Sequence, residues 1–335
     1  MKVLFDHPLP FALAHGGFQI QIEQTRAALL GLGVEVELLR WWDAEQRGDI
    51  LHYFGRPTGA YVQLARQRGR KVVIAELLTG LGSRSVLERA AQRCAMRAAS
   101  ALLPAAFTAR LGWDAYQLAD AVIANTPWEA HLMRTMFDAP SDRLHLVPNG
   151  VEACFLESEP AIRGQWLVCS ATITERKRVV ELAEAALAAR TPLRVIGKPY
   201  SDTDECAKRF GALAREHPDL LRFEGAIASR PALAQAYREA RGFVLMSTME
   251  TRSLAAEEAA ACQCPLLLSD LPWARSVFGE DAMYCPISGV ETTAARLREF
   301  YDRAPTLPPP ARPKSWTEVA QMLRVIYEAV LSKSR

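Results

Sequence analysis

No stretch of this 335-residue chain has the run of ~18 apolar residues that a bilayer-crossing helix requires. Near its start stand one lysine, Lys2, and then Asp6, Pro8 and Pro10, which is not the pattern of a secretion signal. Net charge is almost absent. The 40 Lys and Arg exceed the 38 Asp and Glu by +2, so no nucleic-acid partner is expected. Cysteine is sparse and unpatterned. Seven occur, an odd number, with Cys262 and Cys264 the closest pair, and they lack the spacing of a disulfide framework or a zinc site. Reduced thiols in a cytoplasmic protein are the expectation. No repeat and no low-complexity segment appears beyond a two-fold alternation of elements.

What is present points to an enzyme-sized α/β chain. Half of the residues are apolar, and the length exceeds the usual single domain, so two domains are expected. Strand patterns at 2–5, 34–39, 49–54, 70–75 and 119–125 alternate with helical patterns at 20–32 and 61–68 and one opened by Pro127. Pro148-Asn149-Gly150 is a strong turn. The alternation restarts with strands at 166–170, 193–197, 221–225, 243–246 and 265–269, and helices at 179–189 and 233–240. Residues 305–313 are proline-rich and read as an extended connector, before an amphipathic helix capped by Ser315. The pattern predicts two doubly wound parallel sheets facing a cleft, with ligands outside the carboxyl ends of the strands.

The most informative segment is Met249–Cys262. Glu250 and Glu258 stand eight positions apart, one on the turn after a buried strand and one inside an Ala- and Glu-rich helix with Ser253 as its N-cap. A strand-turn-helix offers free N–H groups and a positive dipole end for phosphate, while carboxylates accept from sugar or ribose hydroxyls. The plain alternative is a solvated helix with ordinary acidic residues. Four other places are candidates. Gly16-Gly17 allows close backbone approach to a phosphate or sugar, or simply makes a turn, and His15 beside it is a hydrogen-bonding candidate. Glu175-Arg176-Lys177-Arg178 puts cations at a helix start, against the dipole, so that an anionic ligand and a solvated helix start stand as equal readings. Asp202-Thr203-Asp204 resembles the metal-binding acidic pair of another transferase class, but lies in a polar loop, so no metal is expected. Arg84, Arg89, Arg93 and Arg97 lie largely on one helical stripe. A solvent-facing side of a packed helix is expected there, with an anionic membrane surface as the alternative.

On these residues the chain resembles the GT-B retaining glycosyltransferases, specifically glycosyltransferase family four. The match is most specific from Phe243 to Tyr284, where Glu250 through Asp270 looks like the family's Glu-x7-Glu helix and following Gly-Cys-Pro strand. Gly16-Gly17, residues 119–126, residues 147–151, Lys177, Phe223-Glu224-Gly225 and residues 315–320 extend it along nearly the whole chain. The resemblance implies two Rossmann-like domains: an acceptor domain of residues 1–150 joined by the helix 315–335, and a nucleotide-sugar donor domain of residues 151–314. It implies a sugar-nucleotide-dependent, metal-independent, retaining transferase with a nucleotide-diphosphate sugar as co-substrate and no cofactor. The acceptor is a hydroxyl on a glycan, a lipid-linked or a small molecule. Glu250 would bind the donor sugar, Glu258 the ribose, and the amides around Ser253 and Leu254 the diphosphate. Lys177 would neutralise the leaving group, Gly225, Ala226 and Ile227 would face the base, and Gly16 and Gly17 the diphosphate. Gly197 belongs to the same donor-facing set of loops.

This sequence departs from the family at three places. Thr172 stands where an Arg is usual, with Arg176 the nearest substitute. Thr251-Arg252-Ser253 replaces Gly-Phe-Gly, which stiffens the phosphate loop and adds a charge. Glu76 and Leu77 occupy the stretch where many relatives have a His, leaving His15, His52 and Glu76 as candidates toward sugar or acceptor. Rival readings are a GT-B sugar-nucleotide epimerase or phosphorylase, and a non-catalytic nucleotide-sugar-binding module. The expected location is the cytoplasm, with peripheral contact at the inner membrane surface as the option that the basic helix leaves open.

Overall fold

A computed structural model describes residues 1–8, 11, 16–157, 161–199, 201 and 203–333. By its internal contacts the chain divides into two compact units, Met1–Gly150 with Trp316–Arg335, and Val151–Ser315. Each unit holds one parallel sheet of six strands. The first comprises β1 (Lys2–Asp6), β2 (Glu35–Leu38), β3 (Ile50–Phe54), β4 (Lys71–Ala75), β5 (Ala121–Ala124) and β6 (Leu144–Leu146). Its order is β2-β1-β3-β4-β5-β6. The second comprises β7 (Leu167–Ser170), β8 (Leu193–Ile196), β9 (Leu221–Phe223), β10 (Gly242–Leu245), β11 (Leu266–Ser269) and β12 (Met283–Cys285). Its order is β12-β11-β10-β7-β8-β9. The doubly wound α/β reading of the sequence is therefore correct for both halves.

The central strands are apolar on both faces because helices cover both. Every residue of β5, β10 and β11 is buried, as parallel sheets require. In the second unit one core layer gathers Phe155, Tyr237, Phe243 and Trp273, and the other Leu182, Val195, Phe210 and Phe300. The order of the second sheet reverses at β7: the chain moves from β7 to β8 and β9 on one side, then to β10 on the other. The loops after β7 and β10 therefore leave the sheet side by side, at the switch point where such sheets hold ligands.

Helix Trp316–Ser332 belongs to the first unit. It packs along helix Gly17–Gly31 and buries Val319, Leu323, Ile326, Tyr327 and Val330. Some elements carry little sequence signal and were not anticipated: strand β12, of three residues, and helices Glu205–Glu216, Pro272–Phe278 and Val290–Arg303. Asp204 caps helix Glu205–Glu216, accepting from the amides of Cys206 and Ala207, while Asp202 lies outside the described residues. Among the described residues no group of three or more His, Cys, Asp or Glu side chains is arranged to hold a metal ion.

The arginine stripe divides. Helix Val86–Leu102 begins with a capping box between Ser85 and Glu88; its inward face is centred on buried Met96, with Arg89, Arg93 and Ala99 half-buried beside it, while Arg84 and Arg97 are exposed. The Arg89 guanidinium lies 4.7 Å from the ring centroid of Trp128, and Arg93 pairs with Asp138 at 3.5 Å. A helical repeat states which residues share a face. Here Trp128 covers Arg89 and Asp138 takes Arg93, while Arg84 and Arg97 stay on the solvent side.

Candidate active site

The loop after β7 carries the first two candidate cations. Ala171 and Ile173 hydrogen-bond to the chain leaving β8, through Ile196 O and Lys198 O. That close approach is why residue 197 is glycine: a Cβ there would stand 1.9 Å from the Ala171 carbonyl oxygen, at a φ of +150°. Thr172 sits half-buried in this loop. A short helical turn, Glu175–Lys177, follows, and Arg178 adopts a left-handed φ of 51° to start helix Val179–Ala189. The turn projects Arg176 and Lys177, whereas Arg178 folds back, buried, onto the Ser288 carbonyl.

The loop after β10 meets them. Thr248 N donates to Arg176 O at 2.9 Å, and the Ser247 hydroxyl donates to the same oxygen at 3.3 Å. These bonds bring Glu250 onto both cations. Its Oε1 accepts from Lys177 Nζ and, at 3.1 Å, from Arg176 Nη1, which also donates to the Met249 carbonyl. Seventy-odd residues of sequence separate the partners, so no local pattern shows the contact.

Helix Leu254–Ala261 begins beside them. Ser253 is its N-cap, 4% exposed, its hydroxyl accepting from Ala256 N at 3.3 Å. The amides of Leu254 and Ala255 precede the first intrahelical bond, from Glu257 N to Ser253 O. Arg252 pairs with Glu257, a carboxylate 1% exposed, so the added charge of this loop is neutralised internally. Burial raises the Glu257 pKa, and Arg252 opposes the rise.

Glu258 lies one helical step on, with its own partners. Arg230 binds its Oε1 and reaches Glu152 Oε1 at 2.8 Å, while the Tyr237 hydroxyl donates to Glu258 Oε2 at 3.3 Å. Burial raises the Glu258 pKa, and the Arg230 charge pulls it back down. Arg230 opens helix Arg230–Glu239, and its guanidinium stands 4.7 Å over the Phe155 ring. It follows the loop of Gly225, Ala226 and Ile227, of which Gly225 has a φ of +67°, Ala226 is exposed and Ile227 packs on the core. Sequence reasoning missed Arg230, Glu152, Tyr237 and Glu257. A usable signal existed for Arg230: it is a cation in the first turn of a helix, the same unfavourable placement that singled out Arg176.

In the first unit the candidates do not gather in this way. His15 lies outside the described residues. Gly16, exposed with a φ of 135°, precedes helix Gly17–Gly31, and Gly17 is likewise exposed. His52 is core: it is 1% exposed, its Nδ1 lies 2.6 Å from the Tyr327 hydroxyl, and burial pushes its pKa down to about 3. Glu76 accepts from the Tyr116 hydroxyl and lies 3.5 Å from Arg56 Nε, and burial raises its pKa. All seven cysteines are unpaired, four of them buried.

Comparison with known proteins now bears on this geometry. A model of the glycosyl transferase 4-like domain matches residues 10–150, and one of the glycosyl transferases group 1 matches residues 164–303. Among solved structures, sucrose-phosphate synthase from Thermosynechococcus elongatus is similar over 99% of this chain and 100% of its own. Its TM-score is 0.67 at 16% identity. A glycosyltransferase from Rickettsia africae is similar over 98% of both chains, with TM-score 0.66 and 10% identity. HepE from Anabaena in complex with UDP is similar over 99% of both, with TM-score 0.66 and 13% identity. No curated protein matches this chain in sequence. Two Rossmann-like halves with these family matches define an enzyme of the GT-B class that transfers sugars. Within that class the chain belongs to the glycosyltransferases of family-four type.

Proposed function

We propose that this protein moves a sugar from a nucleoside-diphosphate sugar to a hydroxyl acceptor, with retention of anomeric configuration and without a metal. The observation that carries the reading is the meeting of Glu250, Lys177 and Arg176 at the β7–β10 switch point beside the start of helix Leu254–Ala261. One carboxylate against two cations leaves net positive charge, which suits a diphosphate. HepE, similar in fold, is described in complex with UDP, with UDP and glucose, and with UDP-glucose, which supports a nucleotide-sugar donor.

In this reading the diphosphate takes the amides of Leu254 and Ala255 and draws Lys177 and Arg176 away from Glu250. The freed carboxylate accepts hydrogen bonds from donor-sugar hydroxyls and orients the ring. Charge grows on the diphosphate as the glycosidic bond breaks, and the two cations stabilise it there. A diphosphate oxygen takes the acceptor proton, so no protein nucleophile is required, unlike hydrolases that set two carboxylates across one bond. Glu258 accepts from ribose hydroxyls, in exchange for part of its bond to Arg230.

The test is a panel of UDP-, GDP- and ADP-sugars with the purified chain, reading thermal shift, nucleoside-diphosphate release and the anomer formed by NMR. A raised melting temperature with one donor and an anomer matching that donor is expected. Failure of every donor to bind at millimolar concentration, or an inverted product, contradicts the reading. Conversion of the donor without an acceptor would favour an epimerase.

A further inference from the structure

With Arg89 and Arg93 half-buried against Trp128 and Asp138, helix Val86–Leu102 presents an apolar face to solvent. Leu87, Ala91, Cys94, Ala98 and Leu102 follow one another at helical spacing, and all are exposed. The large members are extreme: Leu87 and Leu102 are each 81% exposed and Val86 is 72% exposed. Just beyond the helix, Leu103 and Phe107 continue the apolar surface at 50% and 67% exposure. Singly exposed leucines are ordinary, but a continuous helix face is not.

Charge identifies the occupant. Residues 84–111 carry five arginines and one glutamate, Glu88, which is engaged in the capping box. Arg84 and Arg110 are exposed at either end, and the Arg97 side chain is 64% exposed along the edge of the strip. Two copies docking through this face would set the exposed Arg84, Arg97 and Arg110 of one against the same three of the other. A flat apolar strip edged by cations matches the boundary between acyl chains and anionic headgroups. We propose that this helix docks the first unit on an anionic lipid bilayer, with Leu87 and Leu102 entering the acyl boundary and Arg84, Arg97 and Arg110 at the headgroups. The sequence reading favoured a solvent-facing arginine stripe, with an arginine stripe on an anionic membrane as the alternative. The structure assigns the membrane-facing part to the alanine and leucine face.

Sedimentation with vesicles tests this. The full chain should bind phosphatidylcholine vesicles containing phosphatidylglycerol at low salt, and should bind pure phosphatidylcholine at least tenfold more weakly. The pair L87E and L102E should weaken binding by tenfold or more. V325E, at a 63% exposed site on helix Trp316–Ser332, should leave binding unchanged. A polarity-sensitive dye on Cys94, the exposed cysteine, should shift to the blue with anionic vesicles, a readout independent of the variants. Three results would overturn the proposal: no binding to anionic vesicles, binding indifferent to L87E and L102E, or a dimer in solution that L87E dissolves. Donor binding is assayed separately without lipid, so failure here leaves the transferase reading untouched.

Discussion

Three carboxylates surround one helix start, and each has a different partner: Glu250 the pair Lys177 and Arg176, Glu257 the guanidinium of Arg252, and Glu258 that of Arg230. Their expected mutational effects differ accordingly. Lys177→Ala and Glu250→Ala should each lower kcat by ~10² or more with the fold intact, as loss of one charge-stabilising group does, measured by nucleotide release. Glu258→Ala should mainly raise the donor KM. Arg252→Ala leaves Glu257 buried without its cation and should cost roughly 3 kcal/mol in urea unfolding, with Glu257→Gln in the same chain recovering part of it. His52 supplies a pH signature. Its folded-state pKa is depressed from 6.5 to about 3, so its stability contribution is complete above the unfolded value and is lost as pH falls through that window. Melting curves between pH 7 and 4 should therefore show a shallower acid loss in His52→Asn than in the native chain. The identities of Glu250, Lys177 and Glu258 were legible as candidates. Their present partners were not, because Arg230 and Glu258 meet across 28 residues of chain and no periodicity encodes such a pairing.

Local chemistry was readable wherever one element carries it. Ser253 before an Ala- and Glu-rich run announces an N-cap, and the structure shows its hydroxyl on Ala256 N. Pro127 announces a helix start and does open helix Pro127–Phe137. Three-residue strands such as β12 lack enough residues for a period, and Glu205–Glu216 buries one residue, Phe210, too thin a stripe to stand out. Gly197 shows the opposite limit. Its requirement comes from a carbonyl on a different loop, which no reading of its neighbours reveals. Gly197→Ala should push the loops after β7 and β8 apart, lowering stability by roughly 2 kcal/mol or more in urea unfolding. It should also weaken donor binding, by moving Arg176 and Lys177.

For the whole molecule, the two units have unequal independence. Residues Val151–Ser315 are one continuous segment with both core layers of their sheet. This fragment should fold alone and bind the nucleotide, gaining about 2.7 kcal/mol of apparent stability at a hundred times its Kd. Residues 1–150 alone lack helix Trp316–Ser332, whose Val319, Leu323, Ile326, Tyr327 and Val330 are buried in the complete first unit. That fragment should aggregate or remain molten, and adding the helix as a separate peptide should restore its circular dichroism.

Alternation of short apolar runs with helical periods was enough to specify two parallel sheets, and the Glu250 to Asp270 segment together with the motifs at Gly16-Gly17, 119–126, 147–151, Lys177, 223–225 and 315–320 pointed to the family. Both signals are local along the chain, and backbone geometry converts them directly into strands, helices and the turns between them. Orientation was beyond their reach. Helical spacing put Arg84, Arg89, Arg93 and Arg97 on one stripe, but Trp128 and Asp138, brought up by folding, half-bury Arg89 and Arg93 and leave Arg84, Arg97, Leu87 and Leu102 outside. The same holds for His52, a candidate toward sugar or acceptor in one dimension and a core residue bonded to Tyr327 in three. Burial and charge pairing arise between segments distant in sequence, and packing alone settles which side chain receives a partner.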